Sequence, residues 1–446
     1  MNILFISLGC DKNLVDSEVM LGILAERGHK MVDDESEADV IVVNTCCFVN
    51  DAKEESIQTL LEMGQYKENG RLKALIATGC LAQRYQNEIL EEIPEVDAVL
   101  GTTSYEEIAN VIDGLLSDSP KERADHKIVM KDVDSLPQKK ENRLITTGGH
   151  YAYIKIAEGC DKHCTYCIIP KIRGKFRSVP MERVLEQAQK LVDGGVKELI
   201  VVAQETTLYG KDLYGKKCLP ELLRKICQIS GLRWVRILYC YPEEITDELI
   251  QVMKEEPKIC HYLDLPIQHA SDAILKKMGR RTSKQELVDI IGKLRKEIPD
   301  IALRTTLITG FPGETQEQHE ELMEFVDEME FDRLGVFTYS QEEDTPAALM
   351  PDQIPEEIKE DRQAELMELQ QDIAFDAAED MIGKEVIVMI EGKVADENAY
   401  VGRTYRDAPN VDGLIFVNTD EELVSGDFAR VKVTGALEYD LIGELL

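Results

Sequence analysis

Residues 159–167 carry the sequence GCDKHCTYC, in which Cys160, Cys164 and Cys167 are spaced as CxxxCxxC. This spacing offers three thiolates to one metal centre and no fourth. An iron-sulfur cube held by only three cysteines keeps one iron open, and an open iron can bind and activate a small molecule. The stretch therefore predicts a catalytic iron-sulfur site, and the chain on either side of it predicts the surrounding fold.

Two other interpretations of these cysteines are weaker. Structural zinc needs four ligands, usually as two CxxC pairs, and the one candidate for a fourth ligand, His163, lies inside the loop. A disulfide scaffold needs a much higher cysteine density, and the 11 cysteines of this 446-residue chain cannot pair completely. An iron-sulfur cluster is the better interpretation.

The cysteine stretch and the tract that follows it, through Arg173 and Gly174, resemble the radical S-adenosylmethionine superfamily. The resemblance implies that the open iron of a 4Fe-4S cluster chelates S-adenosylmethionine. It also implies that reductive cleavage of this cofactor yields a 5'-deoxyadenosyl radical, which abstracts hydrogen from unactivated carbon. By the same resemblance, the ligands of the cluster are Cys160, Cys164 and Cys167.

Two further sites are candidates for contact with S-adenosylmethionine. Residues 306–315 resemble the strand and glycine-rich turn that lie along the bound cofactor, and Gly310 and Gly313 in this turn suit a close backbone approach. Gln204 and Glu205 follow a predicted strand and point toward the mouth of the predicted barrel, where a buried polar pair could bind the cofactor. An ordinary contact within a strand-end loop is the alternative for this pair.

Three cysteines of the amino-terminal region each follow a predicted strand: Cys10, Cys46 and Cys80. The strands are predicted over 2–8, 38–45 and 74–78 and alternate with predicted helices, which favours a parallel sheet. Because the carboxyl ends of parallel strands share one edge, we expect the three thiols to converge on a second centre. The alternative is that they are ordinary core thiols. Cys47 is left out because neighbouring residues at a strand end point to opposite sides.

The whole chain is predicted to be an α/β protein of three domains. Residues 1–116 are predicted to form a parallel α/β cluster domain, and the polar, charged residues 117–145 a linker. Strand and helix patterns then resume and predict a partial (β/α)6 barrel over 146–380, with its chemistry at the carboxyl ends of the strands. Short alternating segments over 381–446 predict a small β barrel.

Two three-cysteine sets in this order resemble the methylthiotransferase family over nearly the whole chain, including its carboxy-terminal TRAM domain. The resemblance implies two 4Fe-4S clusters and the use of S-adenosylmethionine both as methyl donor and as radical source. The auxiliary amino-terminal cluster would carry or deliver sulfur, while the radical cluster activates a C–H bond.

Members of this family modify either an adenosine of transfer RNA or the β-carbon of an aspartate in small ribosomal subunit protein 12. Residues 6–18, 264–272 and 402–413 resemble the ribosomal-protein branch. The chain has 51 basic and 85 acidic residues, a net charge of −34, which repels nucleic acid and favours a basic protein partner. A transfer-RNA methylthiotransferase remains the alternative enzyme, and a non-catalytic iron-sulfur electron-transfer or scaffold protein remains the alternative class.

The resemblance also implies partners and a compartment. The enzyme would bind protein 12 either free or within the ribosome or its assembly intermediate. An electron donor such as flavodoxin or ferredoxin would supply reducing equivalents. No apolar run approaches the ~20 residues that span a bilayer. The first residues lack the basic beginning of an export signal, and clusters with free thiols fit a reducing compartment, so we expect a cytoplasmic enzyme without a membrane contact.

Overall fold

The computed structural model describes residues 1–137 and 142–446. These residues form two six-stranded parallel sheets and a closed five-stranded barrel. This arrangement confirms the predicted α/β class with a small carboxy-terminal β barrel. No helix in the described ranges is both long enough and apolar enough to cross a membrane.

The amino-terminal sheet is parallel and its central strands are apolar on both faces, as expected when helices cover both sides. Its strand order is β2-β1-β3-β4-β5-β6. The strands are β1 (Asn2–Ser7), β2 (Lys30–Met31), β3 (Val40–Thr45), β4 (Ala74–Gly79), β5 (Ala98–Leu100) and β6 (Ile128–Val129). The helices are α1 (Asp11–Glu26), α2 (Asn50–Gly64), α3 (Tyr66–Asn69), α4 (Cys80–Glu92), α5 (Ile108–Leu115) and α6 (Pro120–Asp125).

The amino-terminal sheet extends past residue 116, the predicted end of its domain. Both α6 and β6 lie in the predicted linker, and β6 pairs in parallel with β5 through Val99 and Ile128. A two-residue strand is too short to show a periodic pattern in the sequence, so the pairing could not be predicted. Residues 138–141 of the predicted linker lie outside the described residues.

The central domain has the predicted six-unit partial barrel, with the parallel strand order β14-β13-β12-β11-β10-β7. Its strands are β7 (Tyr151–Lys155), β10 (Glu198–Val202), β11 (Trp234–Ile237), β12 (Ile259–Asp264), β13 (Ala302–Thr309) and β14 (Arg333–Thr338), with a two-stranded ribbon of β8 (Ala157–Glu158) and β9 (Arg177–Ser178). Its helices are α7 (Ile169–Arg173), α8 (Met181–Asp193), α9 (Lys211–Tyr214), α10 (Leu219–Cys227), α11 (Asp247–Glu255), α12 (Asp272–Lys277), α13 (Lys284–Glu297), α14 (Gln316–Met329) and α15 (Glu356–Glu379).

The carboxy-terminal barrel packs against the amino-terminal ends of the central strands. Its strands are β15 (Glu385–Lys393), β16 (Ala399–Arg403), β17 (Ile415–Asn418), β18 (Phe428–Ala436) and β19 (Leu441–Leu445). Glu198, the first residue of β10, accepts hydrogen bonds at 2.8 Å from Arg236 of β11 and from Arg403 of β16. All three side chains are fully buried. Buried charge therefore joins the two domains on the side away from the carboxyl ends of the strands.

Candidate active site

The three amino-terminal cysteines lie at one edge of the first sheet. Cys10 immediately precedes α1, Cys46 follows β3, and Cys80 begins α4 directly after β4. Strands β1, β3 and β4 are neighbours, so their carboxyl ends bring the three residues together. Burial, together with negative charge on Cys80 and Cys10, raises the pKa of Cys46 to about 12. The three thiols are therefore within electrostatic reach of one another.

Asn13 ties these strand ends together, a role that the sequence did not reveal. Its side-chain nitrogen donates to the carbonyl oxygens of Leu8, at 3.1 Å, and Thr45, at 3.0 Å. The Cys80 thiol lies 3.7 Å from the Asn13 side-chain oxygen. Asn44 in turn donates to the Asn13 carbonyl at 2.9 Å. This buried network fixes the edge from which the cysteines project.

Glycines precede two of these cysteines because the backbone is crowded there. Gly9 has a φ of +82°, and a Cβ on it would lie 2.7 Å from the Cys46 Cβ. Gly79 has a φ of +90°, and a Cβ on it would lie 2.5 Å from the Thr45 carbonyl oxygen. Both positions need a left-handed backbone and the absence of a side chain.

The second set of cysteines occupies the loop between β8 and α7. Cys160 and Cys164 are buried and Cys167 is partly exposed. Burial raises the pKa of Cys160 to about 12, and the charge on Cys164 acts in the same direction. Burial and the charges on Cys164 and Cys160 also raise the pKa of Cys167. His163 is exposed at a turn with a φ of +53°.

The donor chemistry of both sets fits 4Fe-4S clusters. All six cysteines are free thiols. Among the described residues, no three His, Cys, Asp or Glu side chains are grouped as they would be around a single metal ion. In a 4Fe-4S cube each thiolate binds a different iron, so three free thiols can supply three of its ligands.

One short segment after β11 borders both sets of cysteines. The Tyr239 hydroxyl donates to the Asp11 carboxylate at 3.0 Å, next to Cys10. Two residues later, the Tyr241 hydroxyl lies 3.8 Å from the Cys164 sulfur. Both sets therefore lie beside the carboxyl end of β11, where the amino-terminal domain meets the central one. Neither tyrosine carried a recognisable signal in the sequence.

Gln204 and Glu205 lie at the carboxyl end of β10, close to the loop between β8 and α7 that carries the second set of cysteines. The Gln204 nitrogen donates to Glu158 at 2.6 Å, while the Lys162 ammonium lies 3.8 Å from Glu205. Gln204 Oε1 and Glu205 Oε2 are buried and have no hydrogen-bond partner among the described residues. Burial raises the pKa of Glu205 to about 7. Two buried acceptors without a hydrogen-bond partner among the described residues, at a strand end, fit a polar cofactor such as S-adenosylmethionine.

Gly310 and Gly313 follow β13 with φ values of +71° and +73°. A Cβ on Gly310 would lie 2.2 Å from Lys359 Cγ, and one on Gly313 would lie 2.6 Å from Lys277 Nζ. Both glycines adopt a left-handed backbone that favours glycine, and a side chain on Gly310 would also overlap the stem of Lys359.

Comparisons with known proteins agree with this architecture. Family models match in order: the uncharacterized protein family UPF0004 over residues 2–101, the radical SAM superfamily over 154–326 and the TRAM domain over 382–446. Among solved structures, the radical S-adenosylmethionine methyltransferase TsrM from Kitasatospora setae matches with a TM-score of 0.54 at 13% identity. The match covers 89% of this chain and 79% of TsrM, and it shows a shared fold alone.

Curated relatives match from end to end. The ribosomal protein uS12 methylthiotransferase RimO of Lachnoclostridium phytofermentans is 68% identical over 443 residues, which is 99% of each chain. The protein of the same name from Clostridioides difficile is 49% identical over 442 residues, 99% of this chain and 98% of the relative. Identity at this level over the full length is decisive, and the chain belongs to the ribosomal protein uS12 methylthiotransferase family of radical S-adenosylmethionine enzymes.

Proposed function

We propose that the chain attaches a methylthio group to the β-carbon of an aspartate in ribosomal protein uS12, using two 4Fe-4S clusters and S-adenosylmethionine. Family membership supports the reaction and one 4Fe-4S cluster with S-adenosylmethionine. The observation that carries the two-cluster proposal is the segment from Tyr239 to Tyr241, which contacts the surroundings of both cysteine sets. In this proposal the radical cluster is held by Cys160, Cys164 and Cys167, and the auxiliary cluster by Cys10, Cys46 and Cys80.

The residues of the chain have separable tasks in this proposal. When bound, the radical cluster and S-adenosylmethionine supply the radical that removes hydrogen from the substrate carbon. Gln204 Oε1 and Glu205 Oε2 accept hydrogen bonds from the cofactor, since both are buried acceptors without a hydrogen-bond partner among the described residues. The Tyr241 hydroxyl orients the Cys164 sulfur. The amino-terminal thiols hold the centre from which sulfur is delivered.

Charge supports a protein substrate. A chain of net charge −34 steers basic partners toward itself and repels the phosphates of transfer RNA. Ribosomal proteins are basic, so free uS12 is attracted, whereas the phosphates of ribosomal RNA oppose this attraction within an assembling ribosome. Flavodoxin or ferredoxin is the proposed electron donor, and the cytoplasm, where thiols stay reduced, is the proposed compartment.

The experiment that tests this function uses anaerobically reconstituted full-length protein with dithionite and S-adenosylmethionine. Wild type is expected to form 5'-deoxyadenosine and to add the mass of a methylthio group to uS12, and not to transfer RNA. The triple variant Cys10→Ala, Cys46→Ala, Cys80→Ala is expected to form 5'-deoxyadenosine without modifying uS12. The matched variant Cys160→Ala, Cys164→Ala, Cys167→Ala is expected to do neither.

Two results would contradict the proposal. Modification of transfer RNA in place of uS12 would favour the transfer-RNA enzyme. Absence of 5'-deoxyadenosine from wild type loaded with iron would favour an electron-transfer or scaffold protein.

A further inference from the structure

We propose that Arg173 raises the reduction potential of the auxiliary cluster by hydrogen bonding to the sulfur of Cys80. Arg173 lies six residues after Cys167 and ends α7, so it belongs to the radical domain. Its guanidinium nevertheless reaches the cysteine edge of the amino-terminal domain. The inference rests on the proposed function, because it takes Cys80 to be a cluster ligand.

The guanidinium is placed by contacts with the amino-terminal domain. Its Nη2 lies 3.5 Å from the Cys80 sulfur and also donates to the side-chain oxygen of Asn13. Its Nη1 donates to Asp16 of α1 at 2.8 Å. The side chain is only 2% exposed, so these bonds form away from water.

A balanced group of charges fixes this arrangement. Arg173 Nη1 lies 3.4 Å from Glu158, and Lys155 forms ion pairs with both Glu158, at 2.6 Å, and Asp16. Two cations thus face two carboxylates, and none of the four side chains is more than 10% exposed. The thiolate of Cys80 adds a negative charge to this group, and the Arg173 guanidinium contacts it directly.

The sign of the effect follows from elementary electrostatics. One-electron reduction adds one negative charge to an iron-sulfur cluster and to its ligating sulfurs. An N–H donor on a sulfur, and a cation beside it, stabilise the reduced state more than the oxidised state. Removing Arg173 takes away both and also leaves Asp16 and Glu158 with one cation fewer. All of these changes lower the reduction potential.

The test uses the full-length triple variant Cys160→Ala, Cys164→Ala, Cys167→Ala, which lacks the ligands of the radical cluster and retains those of the auxiliary cluster. After anaerobic reconstitution, about four irons per chain would show that one cluster is present. The potential of that cluster is then measured by dithionite titration followed by electron paramagnetic resonance. Arg173→Met in this background is expected to lower the potential by about 59 mV or more, a tenfold change in the one-electron equilibrium constant.

Two further variants make the test specific. Arg173→Lys keeps the charge and loses the planar fork, so it is expected to give a smaller fall, and it decides the test if Arg173→Met holds no cluster. Arg84→Met removes another arginine whose side chain is 6% exposed and which pairs across the domains, with Glu342 at 2.8 Å. Arg84 lies beside Cys47, which is outside the proposed ligand set, so a smaller fall in potential than in Arg173→Met is expected.

The results separate this inference from the proposed function. A cluster with an unchanged or higher potential in the Arg173 variants would overturn the inference and leave the function standing. An equal fall in Arg84→Met would also overturn it, because the effect would then be a general one of removing an interdomain arginine. Absence of any cluster while Arg173 is intact would contradict the two-cluster function itself.

Discussion

Replacing Glu198 with Gln is expected to weaken the joint between the central domain and the carboxy-terminal barrel. One carboxylate oxygen accepts from Arg236 and the other from Arg403, each at 2.8 Å, and all three side chains are fully buried. Gln has the same size but no charge, and its amide nitrogen must face one of the guanidinium groups. The substitution therefore removes a shared counter-ion and adds a donor where an acceptor is needed.

The magnitude follows from the contacts that remain. Breaking a buried ion pair by removing one partner costs about 3–5 kcal/mol, because a buried charge is left uncompensated. Arg403 keeps a second carboxylate, Glu391, at 2.6 Å, so most of the cost falls on Arg236. We therefore expect the lower end of that range, about 3 kcal/mol, which is a large share of the ~5–15 kcal/mol that stabilises a typical domain.

Tryptophan fluorescence can measure this loss because the chain has a single tryptophan. Trp234 lies in β11 beside the joint, with its ring 4.9 Å from that of Phe428 in the carboxy-terminal barrel. For a urea dependence of about 1–3 kcal/mol per M, the midpoint of the fluorescence transition should fall by about 1–3 M.

The matched control is Glu385→Gln, which breaks an exposed pair with Arg430 and should cost at most about 1 kcal/mol. A midpoint for Glu198→Gln no lower than that of the control would show that the Glu198 carboxylate does not stabilise the joint.

Two further substitutions test local features of the amino-terminal domain. Gly9→Ala should reduce the iron content from about eight toward about four per chain, because the new Cβ would overlap Cys46. Gly28 has a similar φ, but a Cβ on it would have no other atom within 4 Å, so Gly28→Ala should retain the full iron content. Burial raises the pKa of Asp39, but hydrogen bonds from a backbone N–H and from Arg71 outweigh it and hold that pKa below its usual range. The stability that Asp39 adds is therefore present above about pH 4 and lost at lower pH. The urea midpoints of cluster-free wild type and Asp39→Asn should differ at pH 7 and converge in acid. Equal midpoints at pH 7 would contradict this expectation.

The sequence predicted those functional features that depend on the order of residues along the chain. The CxxxCxxC spacing and the three strand-end cysteines could be identified because both depend on local order and on the rule that parallel strands end at one edge. The six-unit barrel followed from the alternating strand and helix patterns of the central domain.

Contacts between distant parts of the chain left no such pattern. Arg173 reaches Cys80 across 93 residues, and Tyr239 reaches Asp11 across 228. A hydrogen bond of this kind depends on how two domains pack. The sequence alone does not distinguish a polar residue that makes such a contact from one that does not. The contact between Gly310 and Lys359 was hidden for the same reason.

We propose that this enzyme has two iron-sulfur clusters, each held by three cysteines. Iron and labile-sulfide analysis of anaerobically purified protein tests it most directly. Wild type should contain about eight irons per chain, and the triple variant Cys10→Ala, Cys46→Ala, Cys80→Ala about four. About four irons in wild type, with no loss in the variant, would contradict the claim.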